Sequence, residues 1–458
     1  MFRLSTSNRS DDQRSRRRLK GVILIGALST LAVIGPIVSN YRRLRAIEKT
    51  GASAALSDHA PCRLALAPPA GDQPIDAEII RLQNRILSES EPKPDLERLG
   101  WTLIKKARLT FDAGYYQLAE QCSACMISSG SKTPEALLLR AHALQSLHRF
   151  SEAEGVAREL IKFREQPFDY GVLGDALIDE GKIRGGAAAY QRMVDLRPDL
   201  QSYARVGHVR WLTGDLAGAI QVMTLAVGAS SPHDPEAGAW AYTRLALYQL
   251  QRGATKQALQ SCDAALALQS NYAPALFVRA RIQQALVHSA EALTDLQRAV
   301  ELNPLPEYQW ALADALRSVG HSSEAARVEQ AITDRGATED PRSFSLYLAT
   351  RRKNIERALQ LAEQELVNRE DIFTHDALSW ALAINGRIDE ARRHLSRALS
   401  EGTRDARLFF HAGVIAALSK QKPQARQWLK RADEIRQMLL PSEREQLDGW
   451  RRQLATSR

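Results

Sequence analysis

Residues 171–228 read GVLGDALIDEGKIRGGAAAYQRMVDLRPDLQSYARVGHVRWLTGDLAGAIQVMTLAVG. The stretch contains the same unit twice. Gly174, Gly186 and Met193 recur 33 residues later as Gly207, Ala219 and Ala226. Gly181 and Gly214-Asp215 stand midway through each copy, where a helix would stop and turn back. Leu173 and Leu177 recur at helical spacing and predict an apolar face.

The register extends in both directions. Ala119, Ala153, Gly186, Ala219, Ala258, Ala292, Ala325, Ala358, Ala391 and Ala425 are separated by steps of 33 or 34, with one step of 39. Twelve residues before each lies a position that is usually small: Ala107, Ala141, Gly174, Gly207, Ala246, Ala280, Ala313, Leu346, Ser379 and Gly413. A period near 34 is that of a stacked helical hairpin. Small residues are needed where two helices cross with axes about 8–10 Å apart. Two units depart from the pattern. Residues 339–371 carry Leu346 and Glu365 at positions elsewhere small or apolar, and the step of 39 predicts an insertion at Ser230–Pro235 between hairpins.

This pattern resembles the tetratricopeptide repeat over residues 100–439. The resemblance implies an all-α, right-handed superhelical solenoid of about ten hairpins. It also implies that helix A of each hairpin lines a concave groove. Carried onto this register, the groove wall comprises His142, Asp175, His208, Trp211, Trp240, Arg281, Trp310, Arg317 and Trp380, with Arg205 and Arg244 close by in sequence. Trp and Arg carry much of the binding energy at protein interfaces, so such a wall suits an extended peptide with acidic or aromatic groups. Some of these tryptophans could equally fill gaps between hairpins. The Lys and Asn clamp of chaperone-binding members is missing, because the corresponding positions read His142, Asp175, His208, Leu247, Arg281 and Asp314.

The 458 residues carry a net charge of +9. Residues 1–50 hold 11 Lys and Arg against 3 Asp and Glu, so almost all of the surplus is N-terminal. The near-neutral body gives no reason to expect nucleic acid as a partner. Gly21–Tyr41, GVILIGALSTLAVIGPIVSNY, carries no charge, and its length suits one membrane-spanning helix. Seven basic residues precede it and four follow, which predicts a cytoplasmic tail at 1–20 and an exported body. The expected location is a bacterial inner membrane, crossed once, with the repeats on its outer side. Residues 42–73, rich in Ala and Pro, read as a tether. Residues 74–99 read as an N-terminal capping helix region. Residues 440–458 read as a C-terminal capping helix whose polar Glu443, Arg444, Glu445, Arg451 and Arg452 keep the end soluble.

Cys122-Ser-Ala-Cys125 is a C-x-x-C motif. It allows buried structural cysteines, a disulfide between the two, or thiol and metal chemistry. Cys62 falls in the tether, and Cys262 reads as inert. No metal-ligand spacing, nucleophile elbow or phosphate loop is present, so neither cofactor nor metal is implied. The expectation is a non-catalytic, membrane-anchored scaffold that binds other proteins. The alternative is a thiol redox or metal-handling protein that uses Cys122 and Cys125.

Overall fold

The computed structural model describes residues 59–88, 92–128 and 132–456. The uncharged run Gly21–Tyr41 and the tether as far as Asp58 lie outside the described residues. Among the described residues every regular element is a helix, 23 α-helices and one short 3-10 turn. No helix among them is long and apolar enough to cross a membrane. The described chain forms two compact units. One runs to Leu109 and includes Gln117–Ala136, and the other comprises Thr110–Tyr116 and Leu137 onward.

The first unit contains α1 (Ala60–Ala65), α2 (Pro74–Ser88), α3 (Lys93–Thr110) and, from Gln117, α4 (Gly114–Ser128). The tether expected to reach residue 73 therefore ends earlier. Cys62 and Ala65 of α1 are buried, and Cys62 is disulfide-bonded to Cys125 of α4. The Gln83 side chain donates to the Ala67 carbonyl at 2.8 Å, fixing the next stretch. A buried ion pair joins Lys106 of α3 to Asp76 of α2. Asp76 also accepts from the Gln73 backbone N–H at 3.0 Å. Composition suggested a spacer here because Ala and Pro carry little apolar area. A covalent bond and buried polar contacts do the work that area would otherwise do.

The second unit is a run of hairpins, each an inner helix A and an outer helix B. They are α5 (Pro134–Ser146) with α6 (Phe150–Phe163), α7 (Pro167–Asp179) with α8 (Ile183–Leu196), and α9 (Leu200–Leu212) with α10 (Leu216–Gly228). Next come α11 (Pro235–Gln251) with α12 (Thr255–Leu268), α13 (Ala273–Ala285) with α14 (Ser289–Leu302), and α15 (Pro306–Ser318) with α16 (Ser322–Glu339). The last three are α17 (Pro341–Thr350) with α18 (Ile355–Asn368), α19 (Ile372–Ile384) with α20 (Ile388–Ala398), and α21 (Ala406–Leu418) with α22 (Lys422–Glu434). A 3-10 turn (Arg436–Met438) leads to α23 (Pro441–Thr456).

Sequence explains which helix lies inside. The α21 sequence, ARLFFHAGVIAAL, is apolar nearly all round, and every residue from Leu408 to Ala416 is buried. The α20 sequence, IDEARRHLSRA, has a single apolar stripe and buries only Ala391, Leu395 and Ala398. The small positions do what spacing predicted. A Cβ on Gly174 would lie 2.2 Å from the Tyr190 ring, and one on Gly413 would lie 2.5 Å from Leu429.

Inner helices often start at Pro, whose missing N–H costs nothing there. Turns from A to B close with the six-to-one bond of a helix C-terminus, as in Lys182 N–H to Leu177 C=O at 2.8 Å across Gly181. Val287 occupies the same place between α13 and α14 with φ 64°, a conformation that is costly for a β-branched residue.

The two irregular units are resolved structurally. The turn between α17 and α18 has four residues, 351–354, where the others have three. The close crossing accordingly shifts back by one. Ser345, fully buried, donates its hydroxyl to the Ala358 carbonyl at 2.7 Å, and Leu346 is left free to be large. The insertion near Ser230–Pro235 is only partly loop. Residues 229–234 connect the helices, and the remainder lengthens α11 to 17 residues against 13 in α9.

Candidate functional site

Within the second unit later parts of the same chain meet several of the inner helices at their ends and faces. Arg369, before α19, pairs with Asp179 at the end of α7. The Thr403 hydroxyl donates to the Leu212 carbonyl at the end of α9. Gln251, at the end of α11, donates to the Arg404 carbonyl.

Near the C-terminus one segment crosses three inner helices. The Gln437 side chain donates to the carbonyls of Leu250 and Gln251, each at 3.1 Å. Arg281 of α13 donates to the Met438 carbonyl. Leu439 and Leu440 are buried. On α15, Trp310 donates its indole N–H to the Ser442 hydroxyl at 3.1 Å, and Asp314 accepts from the Ser442 backbone N–H at 2.9 Å. Glu443 caps the start of α23, accepting from the Leu440 N–H at 2.8 Å. It also accepts from Arg407 Nε at 2.6 Å, and Arg407 reaches Glu307 at 3.2 Å. Burial opposes charge on Glu443, but Arg407 outweighs it and holds the carboxyl below its usual range. The capping helix was expected to present Glu443 to solvent. Glu443 is instead fully buried, because it neutralises an interior arginine.

The eleven groove candidates fall into four groups. Arg281 and Trp310 hold the C-terminal segment as described. Trp380 is buried, donating to the Thr350 hydroxyl at 3.0 Å and stacked on His411 at 4.2 Å. Trp211 is also buried, donating to Gln251 Oε1 at 2.7 Å and stacked between Tyr248 and Phe373, each at 5.8 Å. These two tryptophans fill gaps between hairpins. Arg317 is exposed and paired with Glu329 at 2.8 Å.

The remaining six lie half-buried along α5 to α11. Arg205 donates twice to Asp175, at 2.8 and 2.7 Å, and Tyr190 adds a third bond at 2.7 Å. Burial works against that carboxylate, yet Arg205, Tyr190 and the nearby His142 hold its pKa down. His208 stacks on Trp211 at 5.7 Å, with Arg244 and the Tyr248 hydroxyl each 3.4 Å from its Nδ1. Burial, reinforced by Arg244, depresses the His208 pKa to about 3. Arg244 also lies over the Trp240 ring at 5.7 Å.

Periodicity could not reveal Gln437 and Ser442, which follow the last hairpin helix, α22. A weak signal existed in Leu439-Leu440-Pro441, an apolar pair too hydrophobic for an exposed linker. Two clefts flank the segment. One, of about 500 Å³, is lined by Gln251, Arg252, Arg404, Glu434 and Gln437. The other, of about 460 Å³, is lined by Thr350, Arg351, Gln446 and Trp450.

The C-x-x-C motif does not form a thiol pair. Cys125 is bonded to Cys62, and burial pushes the free thiols of Cys122 and Cys262 well up. Such thiols are poor nucleophiles and poor metal ligands.

The tetratricopeptide repeat model matches residues 172–235 and 377–437. No curated protein matches the chain. Among solved structures, a tetratricopeptide repeat protein from Parabacteroides merdae is 18% identical, covering 56% of this chain and 99% of that one, with a TM-score of 0.31. Yeast Tom70 is 13% identical, covering 83% and 96%, with a TM-score of 0.36. The human IFIT1 dimer with PPP-AAAA is 14% identical, covering 78% and 88%, with a TM-score of 0.45.

Proposed function

We propose that this all-helical, tetratricopeptide-type solenoid is a scaffold that holds partner polypeptides near a bacterial inner membrane. One observation carries the reading. Its inner helices already grip a polypeptide segment that is not a repeat, through Arg281, Trp310 and Asp314 and through the Leu250 and Gln251 carbonyls. Main-chain and side-chain groups of that segment are recognised together, as in peptide capture by a preformed surface. The work is binding and not catalysis, with protein and not nucleic acid as partner. The anchor is Gly21–Tyr41, with the body outside the cytoplasm. The Cys62–Cys125 disulfide supports that placement, because such bonds persist in oxidising compartments.

A photo-crosslinking residue at exposed Arg404, beside the larger cleft, tests the reading in native membranes. A discrete polypeptide recovered in stoichiometric yield is expected. Recovery of the chain alone would overturn the proposal. Protease added to spheroplasts should digest the body, and the same protease added to intact cells should not. Digestion in neither case would place the body in the cytoplasm.

A further inference from the structure

We propose that Ile435–Leu447 is an exchangeable internal ligand. The site beneath it on α11, α13 and α15 would then take a partner segment of the same chemistry. This deepens the polypeptide-binding reading and rests on it. A capping helix of a solenoid need only cover the last hairpin. This segment instead bonds to residues 128 to 187 positions earlier in the chain, on three different inner helices.

Its geometry is that of a bound peptide. Helix α22 ends at Glu434, Leu439 is extended at φ −92° and ψ 150°, and a new helix starts at Pro441. The joint and one flank open to solvent through the larger cleft, and the Gln446 side is reached through the other. A competitor can therefore approach from either side.

The site fixes what that competitor must carry. Two adjacent apolar side chains must replace Leu439 and Leu440, since an emptied site would expose the apolar surface beneath them. A carbonyl just before them must meet Arg281. A helix must follow, with a free N–H and a hydroxyl facing Asp314 and Trp310. Its first turn must carry a carboxylate for Arg407, which would otherwise lose its closest partner. The partner is thus an extended pair of large apolar residues, then Pro-Ser-Glu or an equivalent helix start.

A full-length chain carrying a protease site between Glu434 and Ile435 tests this. After cleavage, a fluorescent peptide with the sequence of residues 435–456 is added and its anisotropy followed. The cut chain should take up the peptide at a concentration about tenfold or more below that needed by the uncut chain. A peptide bearing Glu443→Gln should bind about tenfold or more weakly. Absence of uptake by a folded cut chain, or equal uptake of a scrambled peptide, would overturn the proposal. Uptake only on dimerisation, seen by light scattering, would make a second copy the occupant and overturn it too.

Should cleavage unfold the body, hydrogen exchange in the uncut Gln437→Ala variant decides. Faster exchange confined to α23 supports an exchangeable segment, whereas faster exchange in every helix excludes it. Crosslinked partners without peptide exchange would remove this proposal and leave the scaffold reading intact.

Discussion

Arg407 on α21 and Glu443 on α23 form an ion pair with Nε 2.6 Å from Oε1, and the Glu443 side chain is wholly enclosed. Removing Glu443 takes from the interior Arg407 its closer carboxylate and leaves it Glu307 at 3.2 Å. Glu443→Ala should destabilise the second unit by about 3–5 kcal/mol, measured by urea unfolding. Replacing both members with apolar residues of similar volume should cost much less. Equal losses in the single and double variants would show that packing, and not the charge left behind, matters here.

His208 gives a pH dependence of known sign. Its folded pKa, about 3, lies below the ordinary value of 6.5. The unfolded chain therefore takes up a proton first as pH falls. Stability from this residue is complete above pH 6.5 and is lost as pH drops towards 3. The loss approaches about 1.4 kcal/mol per pH unit within that window. His208→Gln should show a shallower fall between pH 6 and 4, read from denaturant midpoints at each pH. Parallel curves would refute the assignment.

Steric closeness at Gly174 predicts a third outcome. An added Cβ would lie 2.2 Å from the Tyr190 ring, which is itself held by Asp175 at 2.7 Å. Gly174→Ala should lower stability by about 1–3 kcal/mol despite the better helix propensity of Ala. Thermal melting followed at 222 nm reports it.

Val287 predicts the opposite sign. It is exposed and sits at φ 64°. Val287→Gly should stabilise the second unit by about 1 kcal/mol. No gain in melting temperature would mean that the turn relaxes in solution.

The first unit should depend on oxidation. Its disulfide closes a separation of 63 residues, and Cys125→Ser should cost about 2–4 kcal/mol. Under native, non-reducing conditions Cys122 and Cys262 should resist alkylation. Mass spectrometry of alkylated peptides separates the two classes of cysteine, and a modified Cys122 in folded protein would contradict its burial.

The hairpins were legible because close helix crossings demand small residues at a fixed period, as at Gly174 and Gly186. The A-to-B turns were half legible. Gly181 announces one, but His148, Val287 and Lys420 adopt the same left-handed conformation without glycine. The disulfide partner was hidden because Cys62 stood in a segment with almost no apolar pattern. Two of the groove positions, Trp211 and Trp380, were misplaced for a physical reason. Helix spacing assigns a side chain to an inner face, but it does not say whether that face meets water. Trp211 and Trp380 point inward as expected and find protein there.

An open array of hairpins melts piecemeal from its ends and tolerates an added or deleted unit. Here the ties from Arg369 to Asp179, from Thr403 to Leu212 and from Gln437 to Leu250 span 187 to 191 positions. Each requires a set number of hairpins between its ends. Duplicating or excising one 33-residue unit inside that span would put all three out of register. The length of the array is therefore quantised by its own closure, and its folding carries the slow, long-range search of a protein far less modular than its sequence.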